Sequence, residues 1–95
     1  MKKYNVSDYE KDFAKRFIEQ GFCYIARDES GFLYAHKTKP IKCPFPGEEG
    51  EWICTTKKYA INPALFKEVV WEDNKPAILT DMLYSFEYKS DVEVK

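Results

Sequence analysis

The stretch that decides the fold is Phe22–His36, which reads FCYIAR, then DESG, then FLYAH. Two runs of aromatic and aliphatic residues flank four residues that are typical of turns. Asp28 at the first turn position and Gly31 at the fourth match a type I turn, because Asp accepts a backbone hydrogen bond there and Gly tolerates a positive φ. The stretch therefore predicts a β-hairpin.

The register of this hairpin decides which side chains face the core. If Arg27 pairs with Phe32, then Cys23 pairs with His36 at the open end of the hairpin. Because side chains alternate along a strand, one face carries an apolar set that we expect to be the core: Phe22, Tyr24, Ala26, Leu33 and Ala35. A slip of one residue would exchange the faces of one strand relative to the other.

A helix is predicted before the hairpin, over residues 8–20. Ser7 and Glu10 have the spacing of a capping box, in which each side chain bonds the backbone amide of the other residue. Gly21 lies where a left-handed C-cap is typical. The apolar residues between them recur at helical spacing, and they are Tyr9, Phe13, Ala14, Phe17 and Ile18.

The second half of the chain predicts further strands joined by loops. Residues 40–50 are rich in proline and glycine and indicate a surface loop. Residues 51–56 predict a third strand, which we place beside the second strand of the hairpin, and residues 67–71 predict an edge strand. Apolar spacing in residues 77–86 is helical, although their β-branched and aromatic content leaves a strand open.

The chain is long enough for one domain, since two cores could not both be filled by 95 residues. We expect residues 1–95 to form a single α+β domain, with an N-terminal helix packed on a three- or four-stranded antiparallel β-meander and a helical C-terminal segment. Residues 1–6 and 89–95 are expected to be loose tails.

The composition of the chain limits the classes of partner that we expect it to bind. The 15 Lys and Arg residues against 16 Asp and Glu residues give a net charge of −1, which matches neither a strongly basic duplex-DNA-binding protein nor a strongly acidic DNA mimic. No run approaches the roughly 20 apolar residues of a membrane helix. Three cysteines, odd in number, indicate reduced thiols. We therefore expect a cytoplasmic protein with no membrane partner.

Residues that could carry chemistry do not form a known motif. Cys23, Cys43, Cys54 and His36 are candidate zinc ligands, but no two of them have the C-x₂₋₄-C spacing typical of zinc sites. Cys23 opposite His36 would place a thiol near a base, as nucleophilic catalysis requires. This pairing is a weak signal, because strand positions supply many such pairs by chance. We therefore expect that the protein is not an enzyme and that it binds no metal and no cofactor.

Aromatic side chains predict a binding surface instead. Tyr and Trp dominate protein interfaces, so the aromatic residues and the Pro-rich loop favour a protein-binding patch; an unpaired strand edge could also join two copies as a homodimer. The alternative is a platform for single-stranded nucleic acid, with aromatic rings interleaved with lysines. The candidate binding residues are Arg27, Phe32, Tyr34, His36, Trp52, Trp71, Glu72 and Asp73.

An ordered series of segments carries a resemblance to a known group of proteins. The segments are GFCYIARD (residues 21–28), GFLYAHKTKP (31–40), Trp52, INPALF (61–66) and VWED (70–73). The series resembles small proteins encoded by phages and prophages of Gram-positive bacteria, with the pattern G-Y-x-Y-I-A-R-D, G-x-L-Y-A-Y, K-P, W, I-N-x-x-L-F and W-E-D. It covers about residues 12–84.

This chain departs from that pattern at Phe22 and His36, where tyrosine is more usual, and its loop at residues 40–50 looks particular to it. The resemblance implies a phage accessory protein in bacterial cytoplasm and transfers no catalytic residue. Accessory proteins of this size commonly bind and block or redirect a host factor, including defence systems. We therefore expect a protein that binds a host or phage protein, with nucleic acid as the alternative partner.

Overall fold

The computed structural model of the chain describes residues 3–83. Its elements are α1 (Asp8–Glu19), β1 (Tyr24–Arg27), β2 (Leu33–His36), β3 (Ile41–Lys42), β4 (Trp52–Ile53), β5 (Tyr59–Ile61) and β6 (Ala77–Ile78), followed by a helical segment at residues 79–83. Four strands form an antiparallel sheet in the order β5-β2-β1-β6, and β3 and β4 form a separate hairpin. The predicted α+β class is confirmed, with its N-terminal helix, antiparallel sheet and helical C-terminal segment.

Helix α1 begins and ends where its sequence signals stand. The Ser7 hydroxyl accepts from the Glu10 amide at 3.1 Å, and Oε1 of Glu10 accepts from the Ser7 amide at 3.0 Å, which completes the capping box. Gly21 follows the C-cap residue with a φ of 94°. Oε2 of Glu10 also accepts from the amide of Phe66 at 2.6 Å, so the start of the helix is tied to a distant loop.

The β1–β2 hairpin forms as predicted, but the expected register is wrong. Arg27 pairs with Leu33 rather than with Phe32. The Asp28 amide donates to the Phe32 carbonyl at 2.8 Å, and the Gly31 amide donates to the Asp28 carbonyl at 2.9 Å. The connection is thus a type I turn followed by a bulge at Gly31, whose φ is 102°, and this bulge adds the residue that shifts the pairing.

The shift changes which residues of β1 face the core beneath α1. Ile25 takes the position expected for Tyr24 and Ala26, and it is fully buried. Tyr24 is half-buried and Ala26 is buried, and both lie on the opposite face because side chains alternate along the strand. On β2, the expected core residues Leu33 and Ala35 are confirmed.

Later strand predictions are wrong because pairing depends on partners that are distant in the sequence. The strand beside β2 is β5, not residues 51–56, whose strand β4 pairs with β3. Residues 67–71, expected as an edge strand, contain turns, and β6 is the fourth strand. Within residues 77–86, the helix begins at residue 79, after β6, and residues beyond 83 lie outside the described part of the chain.

The N-terminal segment is not the loose tail expected for residues 1–6, as far as the structure describes it. Tyr4 and Val6 are buried in the core. The backbone and side-chain amides of Asn5 donate to the two carboxylate oxygens of Glu68 at 2.8 and 3.2 Å. The apolar residues alternate with Asn5, which lets an extended segment cover the core. The expected tail at residues 89–95 lies outside the described residues.

Two layers cover the two faces of the sheet. The main core lies between α1 and one face, and its buried side chains are Tyr4, Val6, Ala14, Phe17, Phe22, Ile25, Leu33, Ala35, Ile61, Phe66, Val69, Ala77, Leu79 and Met82. The β3–β4 hairpin and the residues after it cover the opposite face, where Trp52 and His36 are buried.

We expect Gly31→Ala to destabilise the protein by about 1–2 kcal/mol, because it places an L side chain at a φ of 102°. A Cβ at this position meets no atom within 4 Å, so the cost is one of backbone conformation alone. Urea denaturation measures the change, with Ser30→Ala in the same turn as the control. Equal stability of the two variants would show that the turn does not depend on this conformation.

Candidate functional site

The guanidinium of Arg27, a predicted binding residue, is directed into the protein. Its nitrogens donate, at 2.6 to 3.1 Å, to the backbone carbonyls of Val69, Gly31, Pro63, Leu65 and Phe66. A guanidinium has five N–H groups, so all of its donors are used. Arg27 therefore holds residues 63–69 against the end of β1, and this engagement leaves it no N–H for a ligand.

Asp28 and Trp52 fasten the β3–β4 hairpin to the sheet. Oδ1 of Asp28 accepts from the Trp52 amide at 3.0 Å, and the indole Nε1 of Trp52 donates to the Arg27 carbonyl at 3.1 Å. Burial raises the pKa of Asp28, although the bond from the Trp52 amide and the charge of Lys58 oppose this. Trp52 is 2% exposed. This predicted binding residue is thus an internal anchor.

Trp71 and Lys42 complete an aromatic cluster around this anchor. The ring of Trp71 meets that of Trp52 edge to face, with 6.3 Å between centroids and 78° between planes. Nζ of Lys42 lies 4.2 Å from the centroid of Trp71 and 5.4 Å from that of Trp52, which is cation–π geometry. The cluster joins a half-buried predicted residue, Trp71, to a lysine that sequence reasoning did not single out.

Glu72 and Asp73 lie in a turn. Oδ2 of Asp73 accepts from the Val70 amide, and the Asp73 amide donates to the Val70 carbonyl, both at 3.2 Å, while Glu72 is exposed. Burial and three nearby carboxylates raise the pKa of Tyr4 to about 12. A cleft of about 540 Å³ adjoins the turn, and its lining residues are Tyr4, Asp73, Asn74, Lys75, Pro76, Ala77, Ile78 and Asp81.

His36 meets Cys54 and not Cys23, the thiol that the sequence placed beside it. Nδ1 of His36 lies 3.1 Å from Sγ of Cys54, and the same sulfur donates to the Thr56 carbonyl at 2.8 Å. Because the thiol hydrogen is used in that bond, we assign Nδ1–H as the donor to sulfur and Nε2 as the unprotonated nitrogen. His36 is fully buried, and Nε2 has no hydrogen-bond partner among the described residues.

The His36–Cys54 contact fastens a loop to the sheet through a neutral imidazole. Burial, assisted by the positive charge of Lys58, lowers the pKa of His36 to about 4. A neutral imidazole that donates to sulfur does not accept the thiol proton, which nucleophilic catalysis by a Cys–His pair requires. The contact instead holds the residues that follow β4 against β2.

Large apolar side chains remain exposed on and beside the β3–β4 hairpin. Phe32, next to the β1–β2 turn, is 60% exposed, Ile41 on β3 is 55% exposed, and Phe45 in the following loop is 56% exposed. The Glu29 amide donates to the Gly50 carbonyl at 2.8 Å, which joins the turn to the loop. The same turn and loop carry exposed acidic residues. We call these apolar and acidic residues together the hairpin surface: Phe32, Ile41, Phe45, Glu29, Glu48 and Glu49.

Of the predicted site residues, Phe32 is the one that belongs to the hairpin surface. Tyr34 is half-buried, with Nζ of Lys58 4.2 Å from the centroid of its ring. Because Trp52 is buried as well, the predicted aromatic residues do not form one exposed stacking platform. Sequence reasoning included the Pro-rich loop in a protein-binding patch but missed Ile41 and Phe45, whose signal is their apolar character between prolines.

Within residues 3–83, no group of three or more His, Cys, Asp or Glu side chains is placed to hold a metal ion. None of the helices in that range has the length and apolar character needed to cross a membrane. Comparison with protein-family models, curated proteins and solved structures found no match to the chain. Support for a function therefore comes from the arrangement of the chain's own residues.

We expect Arg27→Lys to lower the free energy of unfolding by about 3 kcal/mol, because an ammonium has three N–H donors and leaves carbonyls unpaired where a guanidinium uses five. Arg16→Lys, on the exposed side of α1, is the matched control and should change it by less than about 0.5 kcal/mol. Urea denaturation compares the two variants. A small and equal effect of both would contradict the structural role of Arg27.

Stability should fall by about 3 kcal/mol as the pH is lowered from 6.5 to about 4 because of His36. The unfolded state binds a proton on this imidazole near pH 6.5, whereas the folded state binds it near pH 4. His36→Asn keeps an amide donor for Cys54 but does not titrate, so we expect it to remove this loss.

Denaturation curves at several pH values compare the His36→Asn variant with the unmodified protein. Asp28, whose pKa is raised, favours the folded state at low pH in both proteins. The difference between the two pH profiles therefore isolates His36. Parallel profiles would show that the imidazole is not kept neutral by the fold.

Proposed function

We propose that this chain is a phage or prophage accessory protein that acts in the bacterial cytoplasm by binding a host or defence protein through the hairpin surface. The observation that carries the proposal is the exposure of Phe32, Ile41 and Phe45, each more than half open to solvent. The bond from Glu29 to Gly50 joins the turn that precedes Phe32 to the loop that carries Phe45, and exposed apolar residues on joined segments mark interaction sites more often than single ones do. The phage origin is supported by the resemblance of residues 12–84 to phage-encoded proteins.

The backbone that presents these side chains is fixed from several directions. The anchor of Asp28 and Trp52, the bond from Glu29 to Gly50 and the pairing of β3 with β4 join the turn and the loop to the sheet. A surface that is ordered before binding loses less conformational entropy when a partner is bound. This preorganisation favours a binding role for side chains that would otherwise be a liability in water.

Charge indicates the chemistry of the partner. Phe32 and Phe45 stand in segments that carry Glu29, Glu48 and Glu49, whereas Ile41 stands in the short strand β3. A complementary partner has an apolar centre with Lys or Arg around it. Two copies of the same acidic surface would repel each other, so we propose a different protein and not a second copy as the partner at this surface. The proposal includes no catalytic step, because a neutral His36 that donates to Cys54 is not placed to take up the thiol proton.

We expect Phe32→Ser and Phe45→Ser each to weaken binding of the partner by about tenfold or more while leaving the protein folded, because truncated interface aromatics commonly cost more than 1 kcal/mol. The full tagged chain first captures the partner from a lysate of a Gram-positive host treated with nuclease. Isothermal titration with the purified partner then measures each variant.

Tyr9→Ser is the matched control, because Tyr9 is 63% exposed but lies on α1, away from the hairpin surface. Its variant should bind with unchanged affinity. If Tyr9→Ser weakens binding and the two hairpin variants do not, the partner uses α1 and the proposed surface is wrong. If nuclease removes every captured molecule, the protein-binding proposal itself fails.

A further inference from the structure

Two loops meet at the end of the sheet opposite the β1–β2 turn. One leaves β2 after His36 and the other enters β5 before Tyr59, and the antiparallel pairing of these strands brings both loops to the same end. The hydroxyl oxygen of Thr38 lies 3.3 Å from that of Thr55 and 3.1 Å from that of Thr56. Three hydroxyl groups therefore converge between the loops.

Four lysines of these loops surround the hydroxyl groups along the chain. We call the following set the lysine–threonine cluster: Lys37, Thr38, Lys39, Thr55, Thr56, Lys57 and Lys58. Neither loop contains an acidic residue. Within residues 3–83, Lys58 pairs with Glu51 at 3.9 Å, whereas Lys39 and Lys57 are exposed and have no ion-pair partner. The near-zero net charge of the chain thus conceals a local basic surface.

An exposed aromatic ring lies beside the cluster. Tyr59 is 58% exposed, and its ring is held edge to face against Phe17 and Phe22, with centroid distances of 5.5 and 6.1 Å. Nζ of Lys37 lies 5.3 Å from the centroid of the same Phe22 ring. The Tyr59 ring and the Lys37 ammonium group therefore both pack against Phe22.

We propose that the lysine–threonine cluster and Tyr59 bind single-stranded nucleic acid, with the lysines and hydroxyl groups on phosphate oxygens and a base stacked on Tyr59. Ammonium and hydroxyl groups are donors that suit phosphodiester oxygens, and base stacking on an aromatic ring requires an unpaired base. This binding site shares no residue with the hairpin surface and goes beyond the proposed protein-binding function.

The distribution of acidic residues supports this location. Tyr9 is exposed to a similar degree, but Asp8, Glu10 and Asp12 surround it along α1. The acidic residues of the hairpin surface lie toward the opposite end of the sheet. An anionic strand is therefore attracted to the Tyr59 end in preference to these two acidic regions. Both DNA and RNA offer the chemistry required, so both are tested.

Fluorescence anisotropy with labelled oligo-dT and oligo-U of about 12 nucleotides tests the proposal. We expect binding by the full chain at low salt, with a slope of log K against log salt of about −2 if three lysines contact phosphates. Lys39→Glu/Lys57→Glu should weaken binding by more than about tenfold and flatten the slope by about 1.4. Lys15→Glu/Lys67→Glu, the same change of charge at exposed positions elsewhere, should have a smaller effect.

Tyr59→Ala should weaken binding by about 5- to 150-fold with little change in the salt slope, because stacking is not an ionic contact. Thr38→Val, which conserves the shape of the side chain, gives a second readout should loss of Tyr59 packing affect folding, and it should weaken binding without unfolding the protein. Phe32→Ser/Phe45→Ser should leave this affinity unchanged, so failure here and failure of the protein-binding proposal are distinguishable.

Several results would overturn the proposal. They are absence of binding at low salt, equal binding of duplex DNA, and equal weakening by the two lysine pairs. Full competition by inorganic polyphosphate with no effect of Tyr59→Ala would also overturn it, since the cluster would then bind anions without recognising a base.

Discussion

Five carbonyl groups that converge on one guanidinium are the constraint on which the rest of this structure depends. The chain between β5 and β6 contains turns but no helix or strand within the described residues, so its backbone groups need other partners. Arg27 satisfies the carbonyls of Pro63, Leu65, Phe66 and Val69 together. An otherwise irregular segment can then place the side chains of Phe66 and Val69 in the core.

Phe66 shows how closely this arrangement is defined. Its φ of 52° lies in the left-handed region, which is uncommon for a residue with a side chain. Its carbonyl accepts from Arg27, and its amide donates to Glu10 at the start of α1. Contacts on both sides of the residue hold it in an unfavourable backbone conformation, and they connect the helix, the hairpin and the loop into one unit.

What could be predicted from the sequence corresponds to what is encoded locally. The capping box of Ser7 and Glu10, the turn at Asp28 and the apolar face of α1 are each formed by residues that are close together in the sequence. The predictions of all three are correct. The predicted register of the β1–β2 hairpin is wrong, although the predicted turn type is correct, because the bulge at Gly31 adds one residue to the loop. Four of the five carbonyl contacts of Arg27, the contact of His36 with Cys54 and the position of β5 depend on partners at least 18 residues away. No local pattern reveals such partners.

The loop between β3 and β4 is the part of this chain that can most readily change in sequence and length during evolution. Its ends are fixed by the bond from the Cys43 amide to the Glu51 carbonyl and by Gly50, whose φ of 97° and contact with Glu29 leave no room for a side chain. Between those ends, residues 44–49 are exposed, and doubling the length of a flexible loop costs only about 0.6 kcal/mol. Insertions, deletions and substitutions can therefore accumulate there under selection while the helix, the sheet and the Arg27 contacts are inherited unchanged.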